Sequence, residues 1–125
     1  MSLRSPLGRV LGMGSAGDGV GHWWLQRVTA IALIPLTAWF AVSLLGHSLQ
    51  SYDAVRGWLG QPWVAVFAAL LVGTLALHSK LGVQVVVEDY VHAKGMKTTL
   101  LLLSLFVHVG AAVAGVFAIL RMALA

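Results

Sequence analysis

Three long apolar runs divide this chain, spanning residues 24–45, 63–87 and 98–120. A helix needs about 20 apolar residues to cross a bilayer core, and each run is long enough. The pattern predicts an all-α integral membrane protein with transmembrane helices over about 23–47, 62–89 and 97–122. Trp23 and Trp24 open the first run, and Trp58 and Trp63 flank the start of the second, as interfacial aromatics do. Pro35 falls mid-run, removes one backbone hydrogen bond and predicts a kink. Residues 46–62 read as a polar loop with Tyr52, Asp53 and Arg56, and residues 91–97 as a short loop with His92, Lys94 and Gly95. Residues 1–21 are rich in Gly and Ser and hold no long apolar run. They read as an N-terminal arm ahead of a three-helix domain over 22–125, and they lack the continuous apolar core of a signal peptide.

Composition strengthens this reading. The 125 residues are 59% hydrophobic and 10% charged, against about 25% charged in an average soluble domain. So short a chain cannot hide that much apolar surface in its own core, so the excess faces lipid or other membrane helices. The net charge of +4 does not come from a basic patch with interleaved aromatics, which argues against nucleic acid as a partner. Instead the basic residues orient the protein. The arm and the second loop share one side, with Arg4, Arg9, Lys94 and Lys97, and Arg27 just inside the first helix; the other side holds Arg56 and Arg121. The positive-inside rule puts the N-terminus in the cytoplasm, or in the matrix of an organelle, and the C-terminus on the opposite side. The absence of cysteine excludes disulfides, thiolate metal sites and thiol catalysis.

Candidate chemistry lies mainly on the second span. At 100° per residue, Phe67, Leu71, Thr74, His78, Gly82, Val85 and Asp89 form one stripe. His78 lies about 16 Å from Asp89 at helical rise, near the middle of the bilayer. Gly82, one turn away, leaves an open patch against which a flat macrocycle could lie. A mid-membrane imidazole beside a glycine is what axial haem ligation requires, while the plainer alternative is a hydrogen bond to a neighbouring helix. His108, at similar depth in the third span, is a rival ligand. Its alternative is packing, because Ser104, Ala111 and Gly115 share its face and are small. His47 and His92, at a helix end and in a loop, read as solvated. Arg27 either snorkels to the headgroups or meets an anion there, such as a haem propionate. Lys80 points roughly opposite His78 and is expected to face another subunit or a polar cavity. Glu88, Asp89 and Tyr90 close the second span, where an acid and a phenol could meet a quinone carbonyl.

These residues resemble a known family. His78-x3-Gly82-x6-Asp89-Tyr90, the helix start His22-Trp23-x2-Gln26-Arg27-x-Thr29-Ala30 and the three-span size resemble the hydrophobic (D-type) membrane anchor of succinate dehydrogenase, in its alphaproteobacterial version. The resemblance implies half of a six-helix bundle, shared with a C-type, cytochrome b556-like anchor subunit and docked to iron–sulfur and flavoprotein subunits. It implies one haem b between the two anchors, with His78 as this chain's axial iron ligand and Arg27, His22 and Gly82 beside the haem. It implies Tyr90 donating to a ubiquinone carbonyl with Asp89 in support, and no catalysis by this chain alone. Lys80 and His108 depart from the family pattern. Two other functions stay open on the residues themselves: a self-contained bis-histidine cytochrome b on His78 and His108, and a cofactor-free membrane accessory protein.

Overall fold

The computed structural model describes residues 16–46 and 50–125, so Arg4, Arg9, His47 and most of the arm lie outside the described residues. Four helices follow in chain order: α1 (Ala16–Gly46), α2 (Tyr52–Leu59), α3 (Pro62–Tyr90) and α4 (Lys94–Leu124). Among the described residues, α1, α3 and α4 are each long and apolar enough to cross a membrane.

The three spans are not equivalent. α1 and α4 both pack on α3, and their backbones do not approach each other. Burial follows from that order. In the most apolar stretch of each span, 28% of α3 is buried, against 11% of α1 and none of α4. Leu102, Phe106, Val113 and Phe117 of α4 are all exposed. In water such a surface would be prohibitive, but lipid removes that penalty and leaves packing and polar contacts to hold membrane helices together.

Two boundaries differ from the sequence pattern. α1 begins at Ala16, so its first turns run into the stretch expected to be arm. Residues 46–62 are not simply a polar loop, because α2 lies within them. Its start is capped by Ser51, whose Oγ accepts from the Ala54 amide at 3.2 Å, and Asp53 adds negative charge to the first turn. Val55, Trp58 and Leu59, at spacings of three and four, form its apolar face. The segment looked like a loop because one helical stripe in eight residues is a weak signal beside a 20-residue span.

That small helix anchors the main core. Trp58, Leu59, Val64 and Ala68 are buried together, with Trp39, Phe40, Val55, Ile119 and Met122 packed round them. All four helices contribute. Trp39 is the hub, stacked on Trp58 (centroids 5.9 Å apart) and edge-on to Phe67 (5.3 Å). The opposite end, near Tyr90, is more polar, with Gln84, Glu88, Asp89, Lys94 and Lys97. Pro35 sits inside α1 and the helix continues through it. There α3 ends at Tyr90, and Lys97 of α4 reaches back to donate to the Glu88 carbonyl at 2.9 Å, which satisfies a free C-terminal carbonyl.

Candidate functional site

His78 is half-buried on the side of α3 that meets α1. The predicted stripe holds this orientation from Phe67 to Gly82, whereas Val85 and Asp89 beyond it are exposed. Phe67 meets Trp39, His78 meets Thr29, and Gly82 meets Gln26, all on α1. The reciprocal residues His22, Gln26 and Thr29 recur at spacings of four and three, so they line the face of α1 turned to α3.

The key contact is 2.9 Å between Thr29 Oγ1 and His78 Nδ1. Thr29 is 5% exposed. Its hydroxyl has one proton, directed at the carbonyls of Leu25 (2.8 Å) and Gln26 (3.1 Å). Towards the imidazole the oxygen therefore accepts, and Nδ1 carries the hydrogen. Nε2 is then left with its lone pair, and it makes no hydrogen bond among the described residues. An imidazole whose far N–H is held by an acceptor while Nε2 stays open is the usual state of a metal-ligating histidine.

His108 is in the opposite condition. Its Nδ1 lies 2.7 Å from the Ser104 carbonyl, which can only accept, so Nδ1 again carries the hydrogen. Its Nε2 lies 3.1 Å from Ser79 Oγ on α3 and accepts from that hydroxyl. Both nitrogens are used, and the ring ties α4 to α3. His78 on α3 faces α1, whereas His108 on α4 faces α3 through Ser79. The packing reading of His108 fits this geometry.

The patch at Gly82 is not bare. A Cβ there would have one neighbour within 4 Å, the Gln26 Nε2 at 3.9 Å. The missing side chain gives the Gln26 amide room beside His78. Two polar atoms in this seam are buried without a partner among the described residues, Gln26 Oε1 and His22 Nε2. Such atoms cost about 1–3 kcal/mol each, and they point to a polar group that completes the seam. The residues present thus fit a haem through an imidazole nitrogen without a protein partner and unsatisfied polar atoms along the adjoining stripe.

Other expected residues are not gathered there. Arg27 is exposed, with its guanidinium 5.4 Å from the Trp23 ring centroid. It lies about 200° round the helix from Thr29, on the outer side of α1. Asp89 and Tyr90 are exposed at the end of α3, Tyr90 at 78%. Among the described residues, no three His, Cys, Asp or Glu side chains form a metal-binding group.

Lys80 has a local partner that the sequence pattern did not single out. Its Nζ donates to Gln84 Oε1 at 2.7 Å, and Gln84 Nε2 donates to Glu88 Oε1 at 2.8 Å. The i, i+4, i+8 spacing of residues 80, 84 and 88 was the available signal. This ladder runs from mid-helix to the Tyr90 end and links an intramembrane cation to a carboxylate. Lys80 also borders two mainly apolar cavities of about 250 and 260 Å³ in the α3–α4 groove.

Two spans packed on a third, central one, with a polar seam between α1 and α3 and wide apolar faces, define a membrane-embedded helical subunit. The family of succinate dehydrogenase/fumarate reductase transmembrane subunits matches residues 1–119, and the chain belongs to it. Membership makes it a membrane anchor of that enzyme class and not its catalytic chain. It is 31% identical over 100 residues to the succinate dehydrogenase hydrophobic membrane anchor subunit of Rickettsia bellii, covering 80% of both chains. The protein of the same name from Paracoccus denitrificans is 29% identical over 113 residues, 90% of this chain and 87% of the relative. That of Rickettsia conorii is 33% identical over 91 residues, 72% of each.

Proposed function

We propose that this chain is the D-type half of the membrane anchor of a succinate:ubiquinone oxidoreductase. It docks the iron–sulfur and flavoprotein subunits to a bacterial inner membrane. A C-type, cytochrome b556-like chain packs beside it, and the unburied face of α4 and the outer face of α1 leave ample apolar surface for that partner. The single observation that carries the reading is the state of His78: half-buried at mid-span, held through Nδ1, open at Nε2.

His78 is the residue with which this chain would hold a haem b shared with the partner. Bound there, haem b supplies a one-electron carrier at mid-membrane. His22, with an unpaired buried Nε2 on the α1 stripe, meets a propionate edge, and Gly82 keeps bulk away from the ring. Arg27, exposed on the outer face of α1 that the partner would cover, offers its guanidinium to a propionate from that side. Tyr90 donates its phenol hydrogen to a ubiquinone carbonyl, and Asp89 supports that site. Both side chains are exposed and project from the end of α3, where a soluble subunit would dock. The N-terminus lies on this cytoplasmic side and the C-terminus on the periplasmic side.

The test is His78→Ala in the assembled, detergent-purified complex. The expected result is loss or displacement of the haem absorption bands. An unaltered spectrum would refute the ligand assignment.

A further inference from the structure

We propose that Thr29 is a positioning residue that sets the donor strength of His78 towards iron. The inference rests on the haem reading above, and adds to it a group that does not touch the haem.

Thr29 lies deep in the seam, and its hydroxyl hydrogen is held by the Leu25 carbonyl at 2.8 Å. Threonines in helices often close on the preceding turn in this way. Here the closure has a consequence on the neighbouring helix. With its own hydrogen engaged, the oxygen can only accept, and the hydrogen 2.9 Å away on His78 is its donor. A hydroxyl already donating is a stronger acceptor, because hydrogen bonds in series polarise one another. In the hydrocarbon region no solvent replaces that acceptor if it is removed.

Three effects follow for His78. The tautomer is fixed with Nε2 unprotonated. The ring plane is held relative to α1, which leaves Nε2 pointing away from Thr29. The acceptor also draws the Nδ1 hydrogen, which raises the basicity of Nε2. A more basic axial nitrogen favours ferric over ferrous iron, and so lowers the reduction potential. Removing the acceptor therefore raises the potential. His108 offers an internal contrast, since its Nδ1 is also held but a serine hydroxyl occupies its Nε2. The pairing of an acceptor at Nδ1 with a vacant Nε2 is found at His78 and not at His108.

Thr29→Val keeps the side-chain shape and deletes the acceptor, whereas Thr29→Ser keeps the acceptor. Both are compared with wild type in the purified complex by potentiometric titration of the haem and by the electron paramagnetic resonance of its ferric form. The expected result is an upward shift of midpoint potential and changed ferric g values in Thr29→Val, with both restored in Thr29→Ser. Thr29→Ala, which is smaller and also lacks the acceptor, makes the same comparison if the valine variant fails to assemble. Wild-type potential and g values in the variants without a hydroxyl would overturn the proposal, and so would an equal shift in Thr29→Ser. His78→Ala separates the two levels. If it leaves the haem spectrum intact, the haem reading itself fails. If it abolishes the spectrum while Thr29→Val stays at the wild-type potential, only the role of Thr29 fails.

Discussion

Gly115 sets how close α4 comes to α3, and replacing it with alanine tests the packing directly. A Cβ at Gly115 would stand 2.8 Å from Val72 Cγ1, 3.7 Å from Cγ2 and 3.8 Å from Cβ. Carbon atoms in good contact sit about 3.5–4.0 Å apart, so the first distance is short by roughly 1 Å. Valine cannot turn away easily, because in a helix one χ1 rotamer strongly dominates. The backbones must part instead. Overpacking of this kind costs about 1–3 kcal/mol, and in lipid no hydrophobic drive pulls the helices back together. Gly115→Ala should therefore lower the stability of the purified complex in thermal or denaturant unfolding by about that amount. Adding Val72→Ala removes both γ carbons and leaves only the 3.8 Å contact, which is ordinary. The double variant should thus be more stable than the two single losses summed, a coupling that a double-mutant cycle reads out. Gly110 and Gly73 are the controls, since a Cβ at either meets nothing within 4 Å. Alanine there should be neutral or stabilising, given its higher helix propensity. If Gly115→Ala unfolds like Gly110→Ala, or if Val72→Ala brings no relief, the close approach of α3 and α4 is wrong.

Other outcomes follow from the same geometry. Tyr90→Phe should slow quinone reduction up to about tenfold, as a net hydrogen-bond worth of ~0.5–1.5 kcal/mol allows, and spare succinate oxidation by a soluble artificial acceptor; unchanged quinone reduction would remove Tyr90 from the site. His108→Gln should leave the haem spectrum unchanged and cost about 0.6 kcal/mol of helix association, whereas loss of the haem bands would restore His108 as a ligand. Because the chain has no cysteine, single introduced cysteines report its orientation. Ala125→Cys should react with an impermeant maleimide in spheroplasts, and Gly95→Cys only after permeabilisation; the reverse pattern would invert the topology.

Several features of this protein are local properties of the chain. Span number follows from run length, since any backbone in hydrocarbon must satisfy its own hydrogen bonds. The stripe through Phe67, His78 and Gly82 follows from the helical repeat, and the structure keeps these residues together against α1. α2 was less legible because eight residues carry little periodicity, although Ser51, Asp53 and the Val55, Trp58, Leu59 face were there to be read. The Lys80, Gln84 and Glu88 ladder was likewise present in spacing alone, at i, i+4 and i+8.

What periodicity could not decide is which helix each stripe faces. A helical wheel ranks His78 and His108 equally, since both are polar, similarly deep and flanked by small residues. Only the packing order, with α3 between α1 and α4, brings Thr29 to one imidazole and Ser79 to the other. The physical reason is that a histidine's chemistry depends on which of its two nitrogens is already engaged, and the partners lie 49 and 29 residues away along the chain. The sequence by itself determined a three-span membrane protein with a histidine at mid-depth. The tertiary structure decided which histidine keeps a nitrogen free.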